Sequence, residues 1–132
     1  MKILICEDEE ILLTALEFRM RKAGFDVVLA KNGKSAIEKI HQEHFDLVIA
    51  DIEMPVMDGL ELIQHIDRFT TDSPPVIVIS ALEHEEEIMQ ALSLGAKDFV
   101  AKPFKPAELV LRAKCIFEAA KRAETVDESN PS

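Results

Sequence analysis

The sequence predicts an α/β fold, a doubly wound five-stranded parallel sheet made of five βα units in the strand order 2-1-3-4-5. Three observations predict it. Short aliphatic and β-branched runs recur with amphipathic stretches between them, the alternation that a parallel sheet with crossover helices requires. Three of those runs, ILIC, LVIA and VIVIS, are almost wholly apolar, as strands covered on both faces must be. The 4 glycines and 6 prolines fall in connections, at element ends or in the tail, so no element interior is broken. A length of 132 residues and 48% hydrophobic composition suffice for one packed core.

The strands are expected at Lys2–Glu7, Asp26–Lys31, Phe45–Asp51, Pro75–Ser80 and Lys97–Ala101. The first helix, Glu9–Ala23, sets Leu12, Ala15, Leu16, Met20 and Ala23 on one stripe, with Thr14, Glu17 and Arg21 on the other side. Ala36, Ile37 and Ile40 mark the second helix, Leu60, Ile63 and Ile66 the third, and Ile88, Ala91 and Leu92 the fourth. Gly24 and Gly95 read as helix stops, and Pro74 and Pro75 lead into a strand. In the last helix Leu109, Ala113, Ile116, Ala120 and Ala123 step by four and three. Packing on the sheet accounts for most of it, while the stretch beyond Phe117 favours a homodimer seam or a helical lead into a further domain. From Glu124 onward the segment ETVDESNPS is polar and lacks periodicity. Residues 1–123 are therefore expected to form the domain, and 124–132 a polar tail or the start of a linker to an effector domain.

Composition excludes several function classes. With 25 acidic against 15 basic residues, the net charge of -10 disfavours direct binding to nucleic acid or to an anionic membrane. The start, MKILICEDEE, is neither a signal peptide nor a membrane span, which points to a cytoplasmic protein. Cys6 and Cys115 lie far apart in apolar segments with no CxxC pair, so both are expected to be free, buried thiols. His41 and His44 lack an evident third ligand, and His65 and His84 look isolated. All four read as solvated rather than metal-binding. The acidic run Glu83–Glu87, broken by His84, reads as a solvated helix start.

In an open parallel sheet, ligands bind beyond the carboxyl ends of the strands, near the point where strand order reverses. The first strand ends in Glu7-Asp8, the third in Asp51 and the fourth in Ser80, and the fifth is followed by Lys102. Four neighbouring strands thus bring three carboxylates, one hydroxyl and one ammonium to one edge. Taken singly, Asp8 could cap a helix, Asp51 close a turn, Ser80 be a loop hydroxyl and Lys102 a surface charge. Independent turn residues have no reason to supply this set together. Two carboxylates about 4 Å apart repel by roughly 4 kcal/mol at an effective dielectric near 20, so three call for a divalent cation. Oxygen donors with retained waters suit magnesium. With such an ion in place, a carboxylate oxygen can attack phosphorus while lysine and hydroxyl gather the developing charge, which is phosphoryl transfer to an aspartate.

These residues carry a family resemblance. Over about residues 1–123 the chain resembles response-regulator receiver domains, through ICEDE at the first strand end, LVIADIEMPVMDG around the acceptor, VIVISA at the fourth strand and GAKDFVAKPF at the fifth. The resemblance implies a flavodoxin-like (βα)5 fold with Asp51 as phosphoacceptor and Mg2+ as cofactor. It implies that Asp8 ligates the metal, that Glu7 acts through metal-bound water and that the Glu53 backbone carbonyl is the third protein ligand. Lys102 is implied to pair with the phosphoryl group, Ser80 to close onto it, and Phe99 to turn inward as that hydroxyl moves. The Lys102-Pro103 bond is expected to be cis. Glu7 stands where aspartate is commoner, and Phe99 lacks a tyrosine hydroxyl, so its switch would act by burial alone. Glu53 and Leu82 hold the two variable positions that tune acyl-phosphate lifetime.

The implied donor is a sensor histidine kinase or a histidine phosphotransfer protein, and the implied output is a change on the fourth and fifth strand–helix units. A homodimer would form through the fourth helix, fifth strand and fifth helix, or through the extended last helix. On this reading the chain is no enzyme beyond catalysing its own phosphorylation and dephosphorylation. Ile11 and Phe18, seven apart and opposite the core stripe, are candidates for docking the donor. Two other readings compete: a flavin-binding electron carrier on the same strand order, and a degenerate receiver acting without phosphorylation. The first needs a Ser-, Thr- or Gly-rich phosphate loop where this chain has Glu7-Asp8-Glu9-Glu10. The intact set Asp8, Asp51, Ser80 and Lys102 argues against the second.

Overall fold

Five strands, β1 (Lys2–Cys6), β2 (Asp26–Ala30), β3 (Leu47–Asp51), β4 (Val76–Ala81) and β5 (Asp98–Lys102), pair in parallel in the order β2-β1-β3-β4-β5. The expected order therefore holds, and strand ends differ from expectation by one or two residues. The computed structural model describes residues 1–54, 57–69 and 73–129. The helices are α1 (Glu10–Lys22), α2 (Gly33–Gln42), α3 (Gly59–Phe69), α4 (Glu85–Ser93) and α5 (Pro106–Ser129), with a 3-10 turn at Leu82–His84 before α4.

Strand alternation sorts the core into two layers. Ile3, Ile5, Leu47, Ile49, Ile77, Ile79 and Val100 face Leu13, Leu16 and Met20 of α1 and Leu109 and Ala113 of α5. Leu4, Cys6, Val48, Ala50, Val76 and Val78 face Ala36 of α2, Leu62, Ile63 and Ile66 of α3, and Ile88 and Ala91 of α4. Register is set by this sorting: Ile3 pairs with Leu47 and Ile49 with Ile77, so a one-residue slip would turn every apolar side chain to the wrong layer.

Several expectations need correction. The buried stripe of α1 runs Leu13, Leu16, Met20, with Leu12 only half-buried. Of the expected stripe, Leu16 and Met20 are buried and Leu12, Ala15 and Ala23 half-buried, so the face is turned slightly toward Leu13, which the stripe omitted. Leu92 of α4 is exposed. Cys6 is buried, and burial pushes its thiol pKa up, but Cys115 is exposed on the outer side of α5. Also in α5, Ile116 and Phe117 are half-buried, with the Phe117 ring edge-on to Phe25 at 5.2 Å, while Ala120 and Ala123 face solvent. The helix continues to Ser129, past the point where apolar periodicity stops. Propagating a formed helix is cheap, and no Gly or Pro intervenes before Pro131. Residues 130–132 of the expected tail lie outside the described residues. Gly24 and Gly95 end α1 and α4 at φ of 96° and 109°, as expected of helix stops. No helix among the described residues is long and apolar enough to cross a membrane.

Candidate functional site

β3 is buried along its whole length and ends on Asp51, which is 3% exposed. The ladder runs one residue further, the Ile52 N–H donating to Ile79 O, before the chain leaves the sheet. The Glu53 N–H then donates to Asp51 Oδ1 at 2.9 Å and fixes the carboxylate. Asp58 caps α3 by accepting from the Glu61 N–H at 2.9 Å, and the next residue, Gly59, lies tight against the end of β3. A Cβ at Gly59 would sit 2.7 Å from Asp51 O, so only glycine lets α3 start there.

On the neighbouring strand, the Glu7 N–H donates to Ala30 O, and the side chain is fully buried. Its Oε1 accepts from the Glu9 N–H at 3.2 Å and from Lys102 Nζ at 3.4 Å. Its Oε2 accepts no hydrogen bond from any described residue, although Lys102 Nζ stands 3.4 Å away. Burial first, and Asp51 second, push the Glu7 carboxyl up to about 8, against the opposing pull of Lys102 and the Glu9 N–H. Asp8 is exposed beside it. Oxygens of Glu7, Asp8 and Asp51 lie within 4.8 Å of one another, a cluster that could hold a metal ion. The acidic run after β1 does not serve as a cap, because Glu9 sits at the N-cap of α1 without a side-chain capping bond.

Lys102, the last residue of β5, brings its ammonium 2.5 Å from Asp51 Oδ2. Burial lowers its pKa, but Asp51 and Glu7 more than offset this and the net shift is upward, so the ammonium stays charged. The Lys102-Pro103 bond is cis, as expected. Ser80 is buried with its Oγ donating to Ala81 O at 3.2 Å, so the hydroxyl is engaged with backbone rather than with Asp51. Phe99 is half-buried and packs on the α2–α3–α4 layer. The structure thus brings Glu7, Asp8, Asp51 and Lys102 together directly, with Ser80 and Phe99 on the adjoining strands.

Sequence reasoning missed two pairings here. His84 is not isolated: its Nε2 makes an ion-pair contact with the Glu53 carboxylate. The two face a cleft of 530 Å³ lined also by Asp8, Met54, Asp58 and Glu87. Likewise, Nε2 of His41 meets Nε2 of His65 at 3.0 Å. Neither pairing leaves a trace in local spacing, since each joins residues on different elements. The side chain of Leu82 lies outside the described residues.

The fold and site define a doubly wound α/β domain with a metal-capable carboxylate cluster at its topological switch point. Residues 3–114 match the family model of the response regulator receiver domain, and the chain belongs to that family of two-component signalling proteins. It is 34% identical over 122 residues to the alkaline phosphatase synthesis transcriptional regulatory protein PhoP of Bacillus subtilis, covering 92% of this chain and 50% of that protein. It is 39% identical over 115 residues to the probable transcriptional regulator ycf27 of Galdieria sulphuraria, covering 87% and 44%. The chain thus spans about half the length of these curated relatives. The receiver domain of the Francisella response regulator 1452 superposes with a TM-score of 0.82 at 28% identity, covering 90% of this chain and 98% of that one. NtrX from Brucella abortus gives 0.85 at 29% identity, covering 98% and 29%. Membership of this family displaces the flavin-carrier reading.

Proposed function

We propose that this domain accepts a phosphoryl group on Asp51 from a phosphohistidine of a sensor histidine kinase or phosphotransfer protein, in the cytoplasm and with Mg2+. The observation that carries this reading is Asp51 itself, a buried carboxylate in contact with an ammonium and beside two more carboxylates. The donor set fits a hard divalent ion, and Glu7 Oε2, buried and accepting no hydrogen bond from the described residues, is an oxygen that a cation or its bound water would satisfy. Asp8, Asp51 and the Glu53 carbonyl would ligate the ion, with Glu7 reaching it through water. An ion held there would supply positive charge to offset that of the phosphoryl group.

The chain's own residues do the rest. One Asp51 oxygen attacks phosphorus as the P–N bond to the donor imidazole breaks, and the donor histidine leaves with the bonding pair. Lys102 moves from Asp51 Oδ2 to a phosphoryl oxygen and holds the product's charge. Ser80 gives up Ala81 O for another phosphoryl oxygen, and the space it vacates admits the Phe99 ring. Movement of these two residues alters the α4–β5–α5 surface, where a partner or a second copy binds. Ile11 and Phe18, 84% and 64% exposed on α1, offer the apolar patch for donor docking. No second substrate is turned over, so the domain is a switch rather than an enzyme. In proteins built like the two transcriptional regulators, DNA contact would belong to a further domain.

The test is intact-mass measurement after incubation with a small acyl phosphate donor. One added phosphoryl group with Mg2+, lost on chelation and in Asp8→Ala, is the expected result. Modification that ignores chelation counts against the reading.

A further inference from the structure

We propose that His41 and His65 form a second cation site, a two-imidazole chelate for a divalent transition ion such as zinc, copper or nickel, clipping α2 to α3. Each histidine comes from a different helix, and their Nε2 atoms converge to 3.0 Å with the rings edge-on at 83°. Two nitrogens bound to one ion at about 2.0–2.1 Å stand about 2.9 Å apart at a right angle and about 3.3 Å apart at the tetrahedral angle. The observed spacing is therefore already that of two adjacent ligands. In the metal-free protein one imidazole donates its Nε2–H to the other; when metal binds, the donor takes up the other neutral tautomer, its proton on Nδ1, so that both Nε2 lone pairs face the ion.

Three surrounding features favour a cation here. His41 lies in the last turn of α2, where backbone carbonyls present the negative end of the helix. Glu38 precedes His41 by three residues and Glu61 precedes His65 by four, spacings that put a carboxylate on the same face of each helix. Lys39, two residues before His41 and so on the other side of the same last turn, is the opposing charge. Burial and the nearby His41 both shift the His65 pKa downward, which favours the neutral, ligating form.

The pair is also separate from the carboxylate cluster. His41 sits eight residues beyond Gly33 and His65 six beyond Gly59, so each lies roughly 9–12 Å down its helix from the end nearest the carboxyl edge. The two sites sort cations by ligand chemistry. Carboxylate and carbonyl oxygens take magnesium, whereas neutral imidazoles take borderline transition ions, with water completing the shell.

The test uses the full chain, stripped of metal and then held in excess Mg2+ to fill the carboxylate cluster. Zinc titration followed by imidazole nitrogen NMR should shift the Nε2 signals of His41 and His65 together and leave His44 unmoved. Calorimetry should show one zinc equivalent, weakened by at least about tenfold in His41→Ala and in His65→Ala but not in His44→Ala. Zinc shifts confined to other residues, or affinity unchanged in both single variants, would overturn the proposal. The NMR arm is read on the wild type and does not depend on how the variants fold.

Discussion

Along β1, β3 and β4 the sheet carries apolar side chains until its last positions, where Glu7 follows Cys6, Asp51 follows Ala50 and Ser80 follows Ile79. Those three are the buried polar side chains among the described residues, and all stand at the carboxyl edge. A few ångströms of strand thus separate a region that stabilises the domain from one that costs it stability. Ile5 and Ile49 are content in the dark. Glu7 keeps an oxygen without a hydrogen-bond donor among the described residues and a carboxyl pushed up to about 8. On the proposed function, residues at the edge are arranged for a cation and a phosphoryl group rather than for the resting protein.

That contrast can be broken at either end. Truncating the interior should have the largest effect: Leu16→Ala, at a fully buried position, should lower unfolding free energy by about 2–5 kcal/mol in urea melts. The fraction that remains folded should still accept phosphate. Changing the edge should do the reverse. Glu7→Gln removes a buried carboxylate, so the metal-free protein should gain stability at pH 8, by up to about 4 kcal/mol, while losing much of its thermal response to Mg2+.

The pH dependence follows from the same group. Its carboxyl is raised from the ordinary 4.5 to about 8, so the native state holds the proton more tightly than the unfolded chain. Its contribution is fully present below about pH 4.5 and is lost as pH rises through 8. Added Mg2+ should therefore raise the melting temperature more at pH 9 than at pH 6, and equal shifts at the two values would remove Glu7 from the account.

The smallest effect is expected at the mouth of the site. His84 holds the Glu53 carboxylate from across the cleft, and His84→Ala should release it and speed loss of phosphate from Asp51. An ion pair this exposed is worth about 0.2–1 kcal/mol, so the change should stay below about fivefold. Decay of the labelled protein measures it directly.

Strand positions, strand order and the convergence of Glu7, Asp8, Asp51 and Lys102 were legible in the sequence, because apolar runs mark buried strands and the residue after each run lands on one edge. What escaped depends on contacts between elements. Leu13 is buried more deeply than Leu12, which packs at the margin of the same cluster, because packing on the sheet, and not the count of apolar residues, chooses the face of α1. The need for glycine at 59 appears only when α3 is seen against Asp51 O. His84 with Glu53, and His41 with His65, are separated by 31 and 24 positions and join surfaces that no local pattern relates. Cys115, set among apolar neighbours, turns outward because the buried line of α5 runs through Leu109 and Ala113.

The central claim is that Asp51 takes the phosphoryl group. Transfer of radiolabel from a phosphohistidine donor, followed in wild type and Asp51→Asn with Mg2+ present, tests it most directly. The account predicts rapid labelling of the wild type and none of the variant; labelling of Asp51→Asn at the wild-type rate would contradict it.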